Sequence, residues 1–185
     1  MNAVSDHYLR HIAQSGDPEA LLTDLMRTFG DDVWNYARCM TGRPDAADDI
    51  AQDVFWKAYR GLSSFRGECS VKTWLLRITR RTALNYMRSA FVRKVTPVGL
   101  FAPKAAGAHR SAELAALDRQ AERDVWAAVL ALPGKYREAI VLDAHYELSY
   151  REIADLLGIS EGTVKSRLHR ARAKVEKMLK EEDGG

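Results

Sequence analysis

Apolar residues recur at helical spacing along most of this chain, and the strict alternation that would mark strands is nearly absent. The pattern predicts helices divided by short breaks that carry Gly or Pro. Asp17-Pro18-Glu19 reads as a helix start, with Asp17 as N-cap and Pro18 at the first helical position. That helix runs to about Met40, where Thr41-Gly42-Arg43-Pro44 interrupts it. A second helix is predicted from about Asp45 to Gly61, a loop over Phe65-Arg66-Gly67-Glu68-Cys69-Ser70, and a third helix from about Val71 to Ser89. From Thr96 to about Ser111 the apolar stripe disappears and Pro97, Gly99, Pro103 and Gly107 enter, which reads as a flexible linker. Helicity resumes near Ala112, breaks at Pro133-Gly134 and resumes from Lys135 to about Tyr146.

The segment that follows has the pattern of a helix-turn-helix. Ser149 with Glu152 three residues on makes a capping box, Ile153, Ala154 and Leu157 are spaced for burial, and Gly158 supplies the positive φ that ends a short helix. Ser160 is the expected N-cap of a second helix, whose apolar seam is Val164, Leu168, Ala171 and Val175. Gly162, Thr163, Lys165, Ser166, His169 and Arg170 fall away from that seam at about 100° per residue. Small residues at the start of such a helix permit close approach to a major groove, and the cations that follow reach bases or phosphates. A charged helix face is also what simple solvation produces, so the cap, the Gly turn and the small-residue entry carry the DNA-binding reading.

Composition narrows the class. The chain has 185 residues, 46% of them hydrophobic, enough for real cores in one domain or two small ones. The expected fold class is all-α. Cys39 and Cys69 are far apart with no CxxC spacing and no His cluster nearby, so neither a zinc site nor a disulfide framework is indicated. His7 and His11 stand at i, i+4 without a third ligand, and no metal is expected. There is no P-loop, no Gly-rich dinucleotide fingerprint and no Cys-His couple, so neither an enzyme nor a cofactor or small-molecule substrate is expected. The chain starts without a basic-apolar leader and carries no long apolar run, from which a cytoplasmic protein is expected.

The net charge is only +3, but its distribution is uneven. Asp45, Asp48, Asp49 and Asp53 precede any basic residue of the second helix. Ile50, Val54, Ala58 and Leu62, widened by Ala51, Phe55 and Tyr59, form its buried stripe, leaving Asp49, Gln52, Asp53, Lys57 and Arg60 facing out. Early-turn carboxylates also favour the helix dipole, which accounts for Asp45 and Asp48 better than for Asp53. The third helix inverts the sign. Trp74, Arg77, Arg80, Arg81, Asn85 and Arg88 share one side, opposite Leu75, Ile78, Thr82 and Tyr86. Cations, an amide and an aromatic on one face suit single-stranded nucleic acid, although Trp74 in a core and solvated arginines would give the same letters.

These pieces, in this order, resemble the extracytoplasmic-function (ECF, group IV) RNA polymerase sigma factors of the sigma-70 family. The residues that carry the resemblance are Asp48-Asp49-Ile50-Ala51-Gln52-Asp53-Val54-Phe55-Trp56-Lys57-Ala58-Tyr59, Phe65-Arg66-Gly67, Thr73-Trp74-Leu75-Leu76-Arg77-Ile78 and Ala83-Leu84-Asn85-Tyr86-Met87-Arg88. In the second half they are Leu132-Pro133-Gly134-Lys135-Tyr136-Arg137-Glu138-Ala139-Ile140-Val141-Leu142 and the helix-turn-helix itself. The resemblance implies an N-terminal extension over 1–16, sigma region 2 over 17–94, a linker over 95–111 and sigma region 4 over 112–183, with the helix-turn-helix at 149–174.

The resemblance also implies roles. Asp48, Asp49, Gln52, Asp53 and Trp56 look like the surface that binds core RNA polymerase through the β′ coiled coil, with the β flap as a further partner. Arg66, Lys72, Trp74, Arg77, Arg80, Arg81, Asn85 and Arg88 look like the −10 surface, and the loop from Phe65 to Lys72 like the place that holds a flipped-out base. Gly162, Thr163, Lys165, Ser166, Arg167, His169 and Arg170 look like the −35 reader, Arg167 near the seam and so directed at phosphate. Promoter DNA and a cognate anti-sigma factor are the other implied partners. Principal sigma factors carry a longer aromatic melting region, so weak melting and a narrow set of promoters are implied. Two other readings use the same residues: a helix-turn-helix regulator that works without polymerase, and a sigma mimic that occupies an anti-sigma factor.

Overall fold

The computed structural model describes residues 18–62, 65, 67–94 and 124–183. The N-terminal extension, Asp17, Arg66 and the linker lie outside the described residues, as does the predicted helix over 112–123. Every regular element among the described residues is helical. The chain divides into two compact units between Phe101 and Ala102.

In the first unit, α1 (Pro18–Thr41), α2 (Pro44–Gly61) and α3 (Val71–Lys94) each pack against the other two. Leu21, Leu25, Phe29, Val33 and Ala37 recur every four residues along α1, so one stripe is buried continuously. α1 stops where Gly42 takes a left-handed φ of 71° and its N–H returns to the Arg38 carbonyl at 2.7 Å. Pro44 forces Arg43 into an extended conformation (φ −127°, ψ 125°) and itself occupies the first turn of α2. The Arg43 guanidinium pairs with Asp45, and this hydrogen bond holds the Asp45 carboxyl below the usual carboxylate range. The buried stripe of α2 is Ala46, Ala47, Ile50, Val54, Phe55 and Ala58, while Ala51, Tyr59 and Leu62, also expected in it, are half-buried at its margin.

Ser70 opens α3, its Oγ accepting the Thr73 N–H at 3.0 Å. α3 continues past Ser89 to Lys94, because 90–94 contain neither Gly nor Pro and nothing interrupts the backbone ladder. The core gathers Leu25, Val33, Ile50, Val54, Val71 and Leu75 from all three helices.

In the second unit, a helix over 124–131 (α4) precedes α5 (Gly134–Ala144), α6 (Tyr150–Leu157) and α7 (Glu161–Asp183). Arg137 Nη1 donates to the Leu130 carbonyl at 3.0 Å, satisfying one of the carbonyls exposed at the end of α4. α5 ends in a reversal: the Leu148 N–H reaches the Leu142 carbonyl at 3.1 Å while Glu147 takes a φ of 55°. That turn tucks Tyr146 and Leu148 into the core and delivers the chain to Ser149.

Candidate functional site

The helix-turn-helix is built by local chemistry. The Ser149 N–H donates to Glu152 Oε2 at 2.9 Å and the Glu152 N–H to Ser149 Oγ at 3.3 Å, a closed capping box on α6. Gly158 ends α6 at φ 68°, in the left-handed region. Ser160 caps α7, its Oγ accepting the Thr163 N–H at 3.2 Å. Val164, Leu168 and Ala171 are buried against α5 and α6, and Val175 is half-buried.

The predicted outward set divides by what holds it. Gly162, Lys165, Ser166, His169 and Arg170 are exposed, while Thr163 and Arg167 are half-buried. The Thr163 hydroxyl turns back to Ser160 Oγ at 2.9 Å, and Ser166 Oγ donates to the Thr163 carbonyl at 3.0 Å. A Cβ added at Gly162 would meet only Ser160 Oγ, at 3.9 Å, so packing within the protein does not require glycine there. Arg170 hydrogen-bonds the Tyr136 phenol, which lowers the tyrosine's pKa from its ordinary value. Lys135 Nζ lies 5.0 Å from the centre of the same ring. Arg172 reaches Asp143 at 2.7 Å and ties α7 to α5. Sequence reasoning assigned no individual role to Lys135, Tyr136 or Asp143. Only the i, i+1 order of Lys135 and Tyr136 at a helix start was visible, and that carries no sign of Arg170.

In the first unit α2 presents Asp48, Asp49, Gln52, Asp53 and Trp56, all exposed. Asp48 Oδ1 accepts the Trp34 indole N–H at 2.7 Å, and the Arg38 guanidinium sits over that indole, 5.5 Å from its centre. Asp53 pairs with Lys57 at 2.6 Å, and Lys57 Nζ also donates to Thr82 Oγ1 on α3 at 3.2 Å. Trp56 is 56% exposed and stacks on Tyr59 with ring centres 6.0 Å apart. An indole left this open on a carboxylate-rich helix supplies apolar contact area at little entropic cost, the profile of an interface anchor.

Along α3, Arg77, Arg81, Asn85 and Arg88 are exposed on one side, with Arg80 half-buried at its margin. Trp74 belongs to both readings left open by the sequence. It leans on the core, and its ring packs against Phe65 at 5.0 Å with a 42° tilt, yet it is only half-buried. Lys72 does not join this face. It lies about 160° around the helix from Trp74 and pairs with Asp32 of α1 at 3.2 Å. That bridge braces α1 and α3 on the side of α3 away from the arginine row. Arg66 lies outside the described residues.

Among the described residues no group of His, Cys, Asp and Glu is arranged to hold a metal ion, and no helix is long and apolar enough to cross a membrane. His7 and His11 lie outside them. Cys39 is buried and Cys69 half-buried.

Two family models match the chain: "Sigma-70 region 2" over residues 25–90 and "Sigma-70, region 4" over residues 122–175. The RNA polymerase sigma factor YlaC of Bacillus subtilis is 32% identical over 158 residues, a match covering 85% of this chain and 91% of the relative. The ECF RNA polymerase sigma factor SigW of Bacillus subtilis is 31% identical over 176 residues, covering 91% of this chain and 93% of the relative. Among solved structures, the sigma factor RpoE in complex with the anti-sigma factor NepR, from Bartonella quintana, aligns with a TM-score of 0.66 at 28% identity. It covers 85% of this chain and 95% of that one.

Proposed function

The chain belongs to the sigma-70 family of RNA polymerase sigma factors, and from that premise we propose that it is a group IV, extracytoplasmic-function member. In this reading it docks on core polymerase, recognises −35 and −10 promoter elements and directs melting, in the cytoplasm. Residues 17–94 form region 2, 95–111 the linker and 112–183 region 4. The observation that carries the reading is the reversal of charge between adjacent helices of one small unit. α2 shows Asp48, Asp49, Gln52, Asp53 and Trp56, while α3 shows Arg77, Arg81, Asn85 and Arg88. A protein that only bound DNA would gain nothing from a solvent-facing carboxylate row beside its cationic face, since that row repels phosphate.

The physics divides among the faces. The carboxylates and Trp56 dock on the β′ coiled coil. α7 enters the major groove of the −35 element N-terminus first, with Gly162 allowing the backbone close and Lys165, His169 and Arg170 reaching bases or phosphates. Arg77, Arg81, Asn85 and Arg88 take the −10 element, and the half-exposed Trp74 offers a stacking surface worth about 1–3 kcal/mol per base, against a few kcal/mol for extruding one. Each unit alone offers a single module of about 600–1,000 Å². Polymerase, with the β flap holding region 4, makes the second contact effectively intramolecular, which fixes the spacing between the two elements. Sigma factors are initiation factors rather than enzymes, and no bond is made or broken by this chain. A cognate anti-sigma factor that covers the docking surfaces is part of the proposal, supported by the relative solved with such a partner.

Run-off transcription with core polymerase over a promoter library tests the reading. New start sites sharing −35 and −10 elements at constant spacing are expected only when the protein is added. Tight binding to core or to an anti-sigma factor with no new starts would instead establish a mimic, and operator binding without core a conventional regulator.

A further inference from the structure

Trp34 is half-buried on α1, at the edge of the first unit's core. Its indole N–H donates to Asp48 Oδ1 on α2 at 2.7 Å, and Arg38 lies over its ring at 5.5 Å. The ring is thus held by the core and by a cation over its face, while the carboxylate it grips is exposed. An exposed aspartate on a helix surface samples several rotamers, each of which must be given up when a partner binds. A short bond from a fixed donor to an ionised acceptor removes that freedom beforehand and leaves the remaining lone pairs of Asp48 available.

We propose that Trp34 is a positioning residue for docking: by holding Asp48 in one orientation it presents α2 to polymerase with a preset carboxylate. This deepens the docking role given to α2 above and rests on it. The contact joins residues fourteen apart on different helices, so the docking surface of α2 is set in part from α1.

The test is a double-mutant cycle on the full chain, reading affinity for bacterial core RNA polymerase by anisotropy and folding by thermal melting. Trp34→Phe keeps an aromatic ring and deletes the donor; a benzothienyl analogue at 34 deletes the same N–H while keeping the ring system's bulk. Both are expected to weaken core binding about three- to tenfold, the value of one side chain ordered in advance. In an Asp48→Ala background neither change should weaken it further. An equal loss with and without Asp48, following a lowered melting temperature, would overturn the proposal, because Trp34 would then act through the fold alone. So would an unchanged affinity on removing the donor. Asp53→Arg separates this failure from that of the docking reading. If Asp53→Arg also leaves core affinity intact, α2 is not the docking face and the proposal falls with it; if Asp53→Arg abolishes binding while the donor deletions do nothing, only the role of Trp34 is lost.

Discussion

The helix proposed to read DNA in the second unit and the two charged faces of the first are held in place by largely different means. The turn that leads into α7 is set by residues within a few positions of one another, Ser149 with Glu152, Gly158 at its positive φ and Ser160 with Thr163, with Arg172 to Asp143 as one further tie to α5. The faces of α2 and α3 are set by side chains that cross between helices: Trp34 to Asp48, Lys72 to Asp32, Lys57 to Thr82. The difference has a functional logic. A helix that enters a groove needs its entry angle fixed, and a turn fixes angles. A docking face needs the positions of individual charges fixed, and that takes a strut from a neighbouring element.

The most damaging change to this arrangement is Gly158→Val. An added Cβ at 158 meets nothing within 4 Å, so any cost comes from the backbone: a β-branched residue is driven into φ 68°, in the left-handed region. The expected loss is about 1–3 kcal/mol, measured by chemical denaturation, with −35 duplex affinity falling further as α7 loses its angle to α6. If stability drops while DNA affinity holds, the turn is not what aims α7.

This contrast also explains what could be read from the sequence. The capping box, the Gly turn and the buried stripes of α2 and α7 were visible because each depends on letters within one or two helical turns. Trp34–Asp48, Arg172–Asp143 and Tyr136–Arg170 were not, since periodicity says which face of a helix is buried but not which side chain of another helix it meets. Glu147 gave no hint of its left-handed φ, because the usual Gly is missing and only the Leu148 bond to Leu142 reveals the turn. Lys72 shows both sides of this: its angle around α3, away from the arginine row, is legible in the sequence, while its bond to Asp32 is not.

Lys72 and Arg88 therefore make a discriminating pair. Lys72→Ala removes a bridge whose side chains are 29% and 24% exposed, and is expected to cost about 0.5–1 kcal/mol of stability, with promoter opening unchanged once the protein is folded. Arg88→Ala, at an exposed position, should leave the melting temperature within about 2–4 °C while lowering permanganate reactivity of the −10 element in the polymerase complex. The reverse outcome would place Lys72 among the residues that act on the −10 element and make the bridge to Asp32 an incidental contact.

Gly162→Ala sharpens the same division inside the second unit. Nothing in the protein opposes the added methyl, and alanine is the better helix former, so stability should rise by up to about 0.5 kcal/mol. Affinity for a −35 duplex should nevertheless fall, because the methyl would occupy space that the groove wall needs. A gain in both would mean that the start of α7 stands off from the DNA and that the reading of Gly162 as an entry residue is wrong.

The smallest effect belongs to the Arg43–Asp45 pair at the start of α2. Arg43 holds the Asp45 carboxyl below its ordinary pKa, so the native state binds this proton less readily than the unfolded chain does. The stabilisation is complete above the unfolded carboxylate pKa and is lost as pH falls through the lower, folded-state value. Both partners are about half exposed, with side-chain exposures of 54% and 51%, and solvent screening limits the pair to a few tenths of a kcal/mol. Asp45→Asn should accordingly lower stability slightly at neutral pH, and the gap between variant and parent should close in acid, below the ordinary carboxylate range. Raising salt should narrow the same gap at neutral pH. A gap that persists in acid would show that asparagine disturbs the first turn of α2 by means other than charge, and the acidic end of α2 would then be organised by its backbone rather than by this pair.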